Sequence, residues 1–181
     1  MKEFKNFQAY EPGNSDLKVE GSESDGLPYD ILYMKDESGN DWYDLQKQLS
    51  QNTVKVVYDD TGTVIQFSTD ASVLYPLGFS VVEIEKSNFC SEDDKPLRYL
   101  NGQVSVDYAK AAEETRKRLL ASANAATTDW RTELQLETIS DEDKSSLIEW
   151  MAYIKALRAL DFSGVTDEAG YKAIEWPDKP E

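Results

Sequence analysis

The spacing of apolar positions changes once along the chain, from alternation to a three-and-four repeat, near residue 105. Before that point the chain reads as strands. "TVKVVYD" (53–59) and "TVIQFS" (63–68) are β-branched alternating runs joined by Asp60-Thr61-Gly62, which predicts a hairpin. "YDILYMK" (29–35) and "FSVVEIE" (79–85) supply further strands. "LRYL" and "QVSV" flank Asn101-Gly102, a dipeptide suited to the type I′ turn because both of its central residues take positive φ. Trp42, Leu45 and Leu49 fall three and four apart and predict a short helix within 41–49. Pro76 and Gly78 make "DASVLYPLG" (70–78) a loop. Phe4, Phe7 and Tyr10 mark residues 1–13 as a short extended or turn-like segment docked through its aromatics, and 14–28 reads as a linker.

After Asp107 the repeat is helical. Tyr108, Ala112, Leu119, Ala123, Ala126, Trp130 and Leu134 line one continuous helix with Asp107 as its N-cap. Ser140 caps a second helix, whose apolar stripe runs through Leu147, Trp150 (or Met151), Ile154, Leu157 and Leu160. The short connection predicts an antiparallel pair, and 161–181 reads as loop. Strands followed by helices argue an α+β fold: a small β-rich N-terminal domain of five or six strands, then a C-terminal antiparallel helical hairpin. The expected layout is an N-terminal arm and linker (1–28), a β-rich domain (29–105), the hairpin (106–161) and a C-terminal tail (162–181).

Composition narrows the function. Nineteen basic residues against 35 acidic ones give a formal charge of −16. Nucleic acid and anionic membrane surfaces are therefore not expected as partners. No stretch approaches the roughly 20 apolar residues of a bilayer span, and "MKEFKNFQAYEPG" lacks the apolar core of a signal peptide. A single cysteine, Cys90, rules out an intrachain disulfide and suits a reducing cytosol. The absence of histidine removes the commonest general base and metal ligand. No metal and no cofactor is expected. "KDESGNDWYD" superficially matches a calcium loop, but Asp41 and Lys47 stand where an EF-hand needs Gly and Glu, so a turn is the better reading. Glu92, Asp93 and Asp94 read as solvated surface. With no phosphate loop and no nucleophile elbow, the chain is not expected to be an enzyme.

Binding is left, and aromatic residues are its candidates. Trp42, Tyr43, Tyr75 and Pro76 sit at loop or element-terminal positions, where such residues are either core plugs or partner anchors. Trp130, Trp150 and Tyr153, with Ile174 and Trp176 of the closing "IEWPDKPE", are candidates for self-association or for docking the tail onto the helices. Basic residues around Arg116-Lys117-Arg118 are expected to pair with Glu113 and Glu114 within the first helix.

These same residues resemble a known family. Asp41-Trp42-Tyr43 after a turn, the "YDDTGTVI" hairpin, "SVLYPLGFSV" (72–81), the helix carrying Trp150 and Tyr153, Asp161, and a closing Trp176-Pro177-x-x-Pro180 are similar to the caudoviral tail fibre assembly proteins of phages and prophages. The resemblance runs over roughly 29–181. It implies a chaperone that binds the distal C-terminal region of a trimeric tail fibre and promotes its folding and assembly. It further implies fibre binding by the β-rich part and self-association, with a homodimer as an option, by the helices. The expected location is the host bacterial cytoplasm, with retention on the fibre tip of the virion as a variant. The alternatives are an acidic decoy or DNA mimic that binds a host enzyme and, third, a carboxylate-based glycan hydrolase.

Overall fold

In chain order the elements are β1 (Lys2–Phe4), β2 (Gln8–Tyr10), β3 (Tyr33–Lys35), α1 (Trp42–Gln46), β4 (Val54–Tyr58), β5 (Val64–Ser68), β6 (Ser80–Ile84), β7 (Leu97–Leu100) and β8 (Gln103–Val106), then α2 (Tyr108–Ala126), α3 (Thr128–Gln135), α4 (Asp141–Ala159) and α5 (Glu168–Lys172). They come from a computed structural model that describes residues 1–11, 32–92 and 94–181. The linker expected at 14–28, the first residues of the strand expected at 29–35, and Asp93 lie outside the described residues. The fold is α+β. The chain divides into two compact units, Met1–Val106 and Asp107–Glu181.

In the first unit an antiparallel sheet runs β1-β6-β4-β5. Its middle strands, VKVVY and SVVEI, are buried at every position, because side chains on both faces meet covering elements. Register places Val57 opposite Val81 and Lys55 opposite Glu83 on one face. Val57 and Val81 there join Phe7, Met34, Trp42, Leu45, Leu49, Ala71 and Leu74 in one core. The other face carries Val56 and Val82, and beside it the β7–β8 hairpin buries Leu97, Tyr99, Val104 and Val106. Asn101 and Gly102, with φ of 51° and 84°, form the type I′ turn of that hairpin. The hairpin is tied to the sheet where Tyr99 N donates to Gly62 O at 2.7 Å. A Cβ on Gly62 would stand 2.5 Å from Tyr99 O, so only glycine permits this approach.

Residues 1–11 are not a separate arm. β1 pairs with β6 and β2 with β3, and Phe7 is fully buried between the two pairings. The turn at 36–41 is held by its own side chains. Asp36 Oδ1 accepts from the backbone N–H groups of Ser38 and Asn40 and from Asn40 Nδ2. Its second oxygen accepts from Asn40 Nδ2 at 3.0 Å.

In the second unit the continuous helix expected over 107–134 is broken. Thr127, fully buried, turns its hydroxyl back to Ala123 O (3.0 Å) and Asn124 O (3.2 Å) and ends α2, and α3 restarts at Thr128. Threonine hydroxyls that bond the preceding turn disturb helices in this way. α4 starts at its Ser140 cap, which accepts from Asp143 N at 3.0 Å, and buries Leu147, Trp150, Tyr153, Ile154 and Leu157. Small residues on α2, Ala111, Ala112 and Ala123, are buried too, which allows helix backbones to approach closely. The segment read as loop after 161 contains α5, capped by Asp167 Oδ1 accepting from Gly170 N at 2.8 Å.

Candidate partner-binding surface

Asp41 organises the surface. Its Oδ1 accepts from Tyr43 N (2.8 Å) and Asp44 N (3.2 Å), so α1 begins at Trp42 with fixed polarity. Adjacent residues of that short helix then face opposite ways. Trp42 points inward at 1% exposure, meets Phe7 edge-on at 5.3 Å, and donates Nε1–H to Leu74 O at 3.3 Å. Tyr43 points outward at 38% exposure.

Around Tyr43 the tyrosines form a series. Tyr43 meets Tyr33 edge-on at 5.8 Å, and Tyr33 meets Tyr10 edge-on at 6.2 Å. The Tyr10 hydroxyl donates to Asp41 Oδ2 at 2.9 Å, and Lys35 Nζ lies 5.2 Å over the Tyr10 ring. Burial and then the Asp41 carboxylate push the Tyr10 phenol up to about 12. Burial, followed by Asp41, Tyr33 and Tyr75, also raises Tyr43. Both rings therefore remain neutral donors at physiological pH. Tyr75, half exposed, continues the series on the loop between β5 and β6, where its N–H donates to Gln66 Oε1 at 2.9 Å. Leu32 and Val73 are exposed apolar residues close by in the chain.

The four residues singled out from sequence thus separate. Tyr43 and Tyr75 stand on the surface, whereas Trp42 and Pro76 are buried. Tyr10 and Tyr33 are not among those four, because their proximity to Tyr43 depends on β2–β3 pairing across residues 11–32. Aromatic rings with a polar tip, held in place by neighbours, suit protein recognition at small entropic cost. A cavity of about 620 Å³ opens near α1 against Lys47, Leu49, Lys55 and Asp70. Lys55 Nζ already donates to Thr69 O at 2.8 Å and to Thr53 O at 3.3 Å, as well as to Ser50 O, so that ammonium is engaged by the fold itself. Among the described residues no group of three or more Cys, Asp or Glu is placed to hold a metal ion. No helix among them is long and apolar enough to cross a membrane.

In the second unit Trp150 and Tyr153 belong to the core, with rings edge-on at 6.0 Å, and Trp130, Leu160 and Trp176 pack against it. Trp176 also meets Phe162 at 5.5 Å, and Lys179 Nζ lies 5.6 Å over the Trp150 ring. Ile174 is half-buried, its N–H donating to Tyr171 O at 3.4 Å. Arg116 pairs with Glu113 at 2.5 Å and donates to Leu160 O at 2.9 Å, which absorbs part of the basic cluster within the unit. The exposed apolar residues here are Leu134, Leu136, Ile148 and Met151. For Ile148 and Met151 the signal in the sequence is the pairing Leu147-Ile148 and Trp150-Met151, which gives α4 more apolar positions than one stripe uses.

Comparison with known proteins matches the sequence to a phage family. The profile described as "Caudovirales tail fibre assembly protein, lambda gpK" covers residues 41–181. The chain belongs to this family. The tail fiber assembly protein U′ of Escherichia phage Mu is 29% identical over 161 residues, spanning 84% of this chain and 87% of the relative. The probable tail fiber assembly protein of Escherichia phage P2 is 27% identical over the same shares. Tail fiber assembly protein U′ of Escherichia phage P1 is 28% identical, again over 84% of this chain and 87% of the relative. The matched region of the family profile begins at Asp41, the cap that orients Trp42 and Tyr43.

Proposed function

We propose that this protein is a tail fibre assembly chaperone, binding the distal C-terminal region of a trimeric phage tail fibre while that fibre folds and assembles. The observation that carries the reading is membership of the tail fibre assembly family over residues 41–181. The tyrosine surface supports it physically. A fibre whose chains are still finding register exposes apolar surface and strand edges and is prone to aggregate. A binder needs rigid aromatic anchors to cover such surface, and high negative charge to stay soluble while doing so. The first unit is the proposed fibre-binding part, with Tyr43 and Tyr75 as anchors. The second is the proposed site of self-association, through the exposed Leu134, Ile148 and Met151. Action in the host cytoplasm follows from acting on newly made fibre.

Co-expression with the tail fibre of the same genome tests the reading. Soluble, SDS-resistant fibre trimer is expected only when the protein is present, and equal yields without it overturn the proposal. Replacing both anchors, Tyr43→Ala with Tyr75→Ala, is expected to weaken fibre binding at least ten-fold while leaving the melting temperature nearly unchanged.

A further inference from the structure

The sheet of the first unit has two outer strands, and they are protected very differently. β1 presents exposed Lys2 and Glu3, charges of the kind that discourage another strand from pairing. β5, at the opposite edge, presents none. Residues 61–69, Thr-Gly-Thr-Val-Ile-Gln-Phe-Ser-Thr, contain no charged side chain in a protein where 30% of residues are charged. Ile65 and Phe67 are 43% and 48% exposed on that strand, and Phe67 stacks with Phe89 at 4.8 Å. Among the described residues the only strand hydrogen-bonded along β5 is β4, and an isolated bridge from Thr63 to Arg98 secures just its beginning. Antiparallel pairing leaves every second residue of an outer strand with its N–H and C=O directed outward.

We infer that the free edge of β5 is a docking site for an extended, uncharged segment of the partner polypeptide, which adds to the sheet as a fifth strand. This rests on the assembly reading above and makes it specific: the client is captured by main-chain pairing. A helix would leave the outward N–H and C=O groups unpaired, whereas an extended chain satisfies them in register. A charged segment would set its charge against Ile65, Phe67 and Phe89. Charge also argues against a second copy of this chain as the occupant. Asp59 and Asp60 precede the uncharged stretch and Asp70 follows it. An antiparallel pairing of β5 with itself brings the Asp59–Asp60 end of one strand toward the Asp70 end of the other, and like charges so placed oppose pairing. A client segment flanked by lysine or arginine meets those same aspartates favourably. The edge also adjoins the tyrosine surface through Gln66, whose Oε1 holds Tyr75 N, so a strand laid along β5 passes beside Tyr75.

Amide hydrogen exchange on the full chain, alone and mixed with the tail fibre of the same genome, tests the inference. Exchange across residues 64–68 is expected to slow at least ten-fold when fibre is bound. A double variant, Ile65→Lys with Phe67→Lys, is expected to bind fibre at least ten-fold more weakly. Fibre binding with unchanged exchange at 64–68 overturns the strand-addition mode and leaves the assembly reading standing. A folded double variant that binds as well as the parent does the same. Protection of 64–68 in the protein alone, rising with its concentration, overturns the inference in favour of a second copy. Failure of the parent protein to bind fibre at all overturns both the inference and the reading it rests on. Should the double variant not fold, exchange in the parent protein decides by itself.

Discussion

Lys55 and Glu83 are directly opposed across the β4–β6 ladder, and their side chains are all but inaccessible, at 1% and 8% exposure. Each is held mainly by other groups. Lys55 Nζ donates to the carbonyls of Ser50, Thr53 and Thr69, tying the start of β4 to the end of β5. Glu83 Oε1 accepts from Ser50 N at 2.6 Å and Thr53 Oγ1 at 2.8 Å. Lys55→Met leaves three carbonyls without the donor they share, while Glu83 keeps its Ser50 and Thr53 donors, so a loss of about 1–3 kcal/mol is expected by denaturant unfolding.

The carboxylate adds a dependence on pH. Burial works against ionisation of Glu83, but the Ser50 and Thr53 donors, with Lys2 and Lys55, outweigh it and hold the group below its ordinary 4.5. A depressed carboxylate stabilises the fold above its unfolded value, and that stability is lost as pH falls through the folded one. Glu83→Gln is therefore expected to lower stability at neutral pH. The gap to the parent should narrow as pH drops below about 4.5. Melting temperatures of the two proteins at neutral and acid pH check this, and a gap independent of pH refutes it.

Tyrosines set the alkaline limit. Burial raises Tyr10, Tyr43, Tyr58, Tyr99 and Tyr153 above their ordinary 10.0, with added help from Asp41 at Tyr10 and Glu3 at Tyr58. The folded state then keeps phenolic protons that the unfolded chain releases, so stability falls as pH rises above about 10. Lys55 acts in the opposite sense. Burial depresses it from 10.5, so the unfolded chain holds more protons just below that value and stability gains there. Five tyrosines against one lysine give a net loss. We expect the melting temperature to drop steeply between about pH 10 and 12, with phenolate absorbance rising in step with unfolding.

Much of the local structure was legible and most of the long-range structure was not. Asn101-Gly102, the Asp107 cap and the Ser140 cap were readable because each depends on a few neighbouring residues whose side chains or φ angles suffice. The pairing of Phe4 with Val81 was not, since nothing near Phe4 in the chain specifies a partner so distant. The break at Thr127 was missed because helical spacing continues through it. Only burial of its hydroxyl against Ala123 and Asn124 interrupts the repeat. For the binding surface, exposure of Tyr43 beside a buried Trp42 follows from helix geometry, but the Tyr10–Tyr33–Tyr43 series requires a strand pairing that sequence alone does not supply.

Two tryptophans that look alike in the sequence should respond differently to the same change. Trp42 Nε1 has its acceptor in Leu74 O, whereas Trp150 Nε1 is buried and finds none among the described residues. Trp42→Phe removes a made hydrogen bond, orphans a carbonyl and leaves a void, at a cost of about 2–4 kcal/mol. Trp150→Phe leaves a similar void but also removes an unsatisfied donor, so a change within about 1 kcal/mol is expected. Equal losses in denaturant unfolding would mean that Trp150 has an acceptor in solution.

The closing segment makes the last test. Beyond Ile174 its attachment is through side chains: Trp176 against Phe162 and the helix core, and Lys179 over Trp150. Pro177 and Pro180 restrict it to extended backbone and reduce the entropy lost on docking. The attachment should therefore reside in one ring. Trp176→Ala is expected to destabilise the second unit by about 1–3 kcal/mol. Lys179→Ala, which loses a contact at an exposed site, should cost under about 1 kcal/mol. Unfolding followed by far-ultraviolet circular dichroism, to which the helices contribute strongly, separates the two. If Trp176→Ala leaves that transition unmoved, the segment adds nothing to the core, and its tryptophan is then an anchor held for a partner.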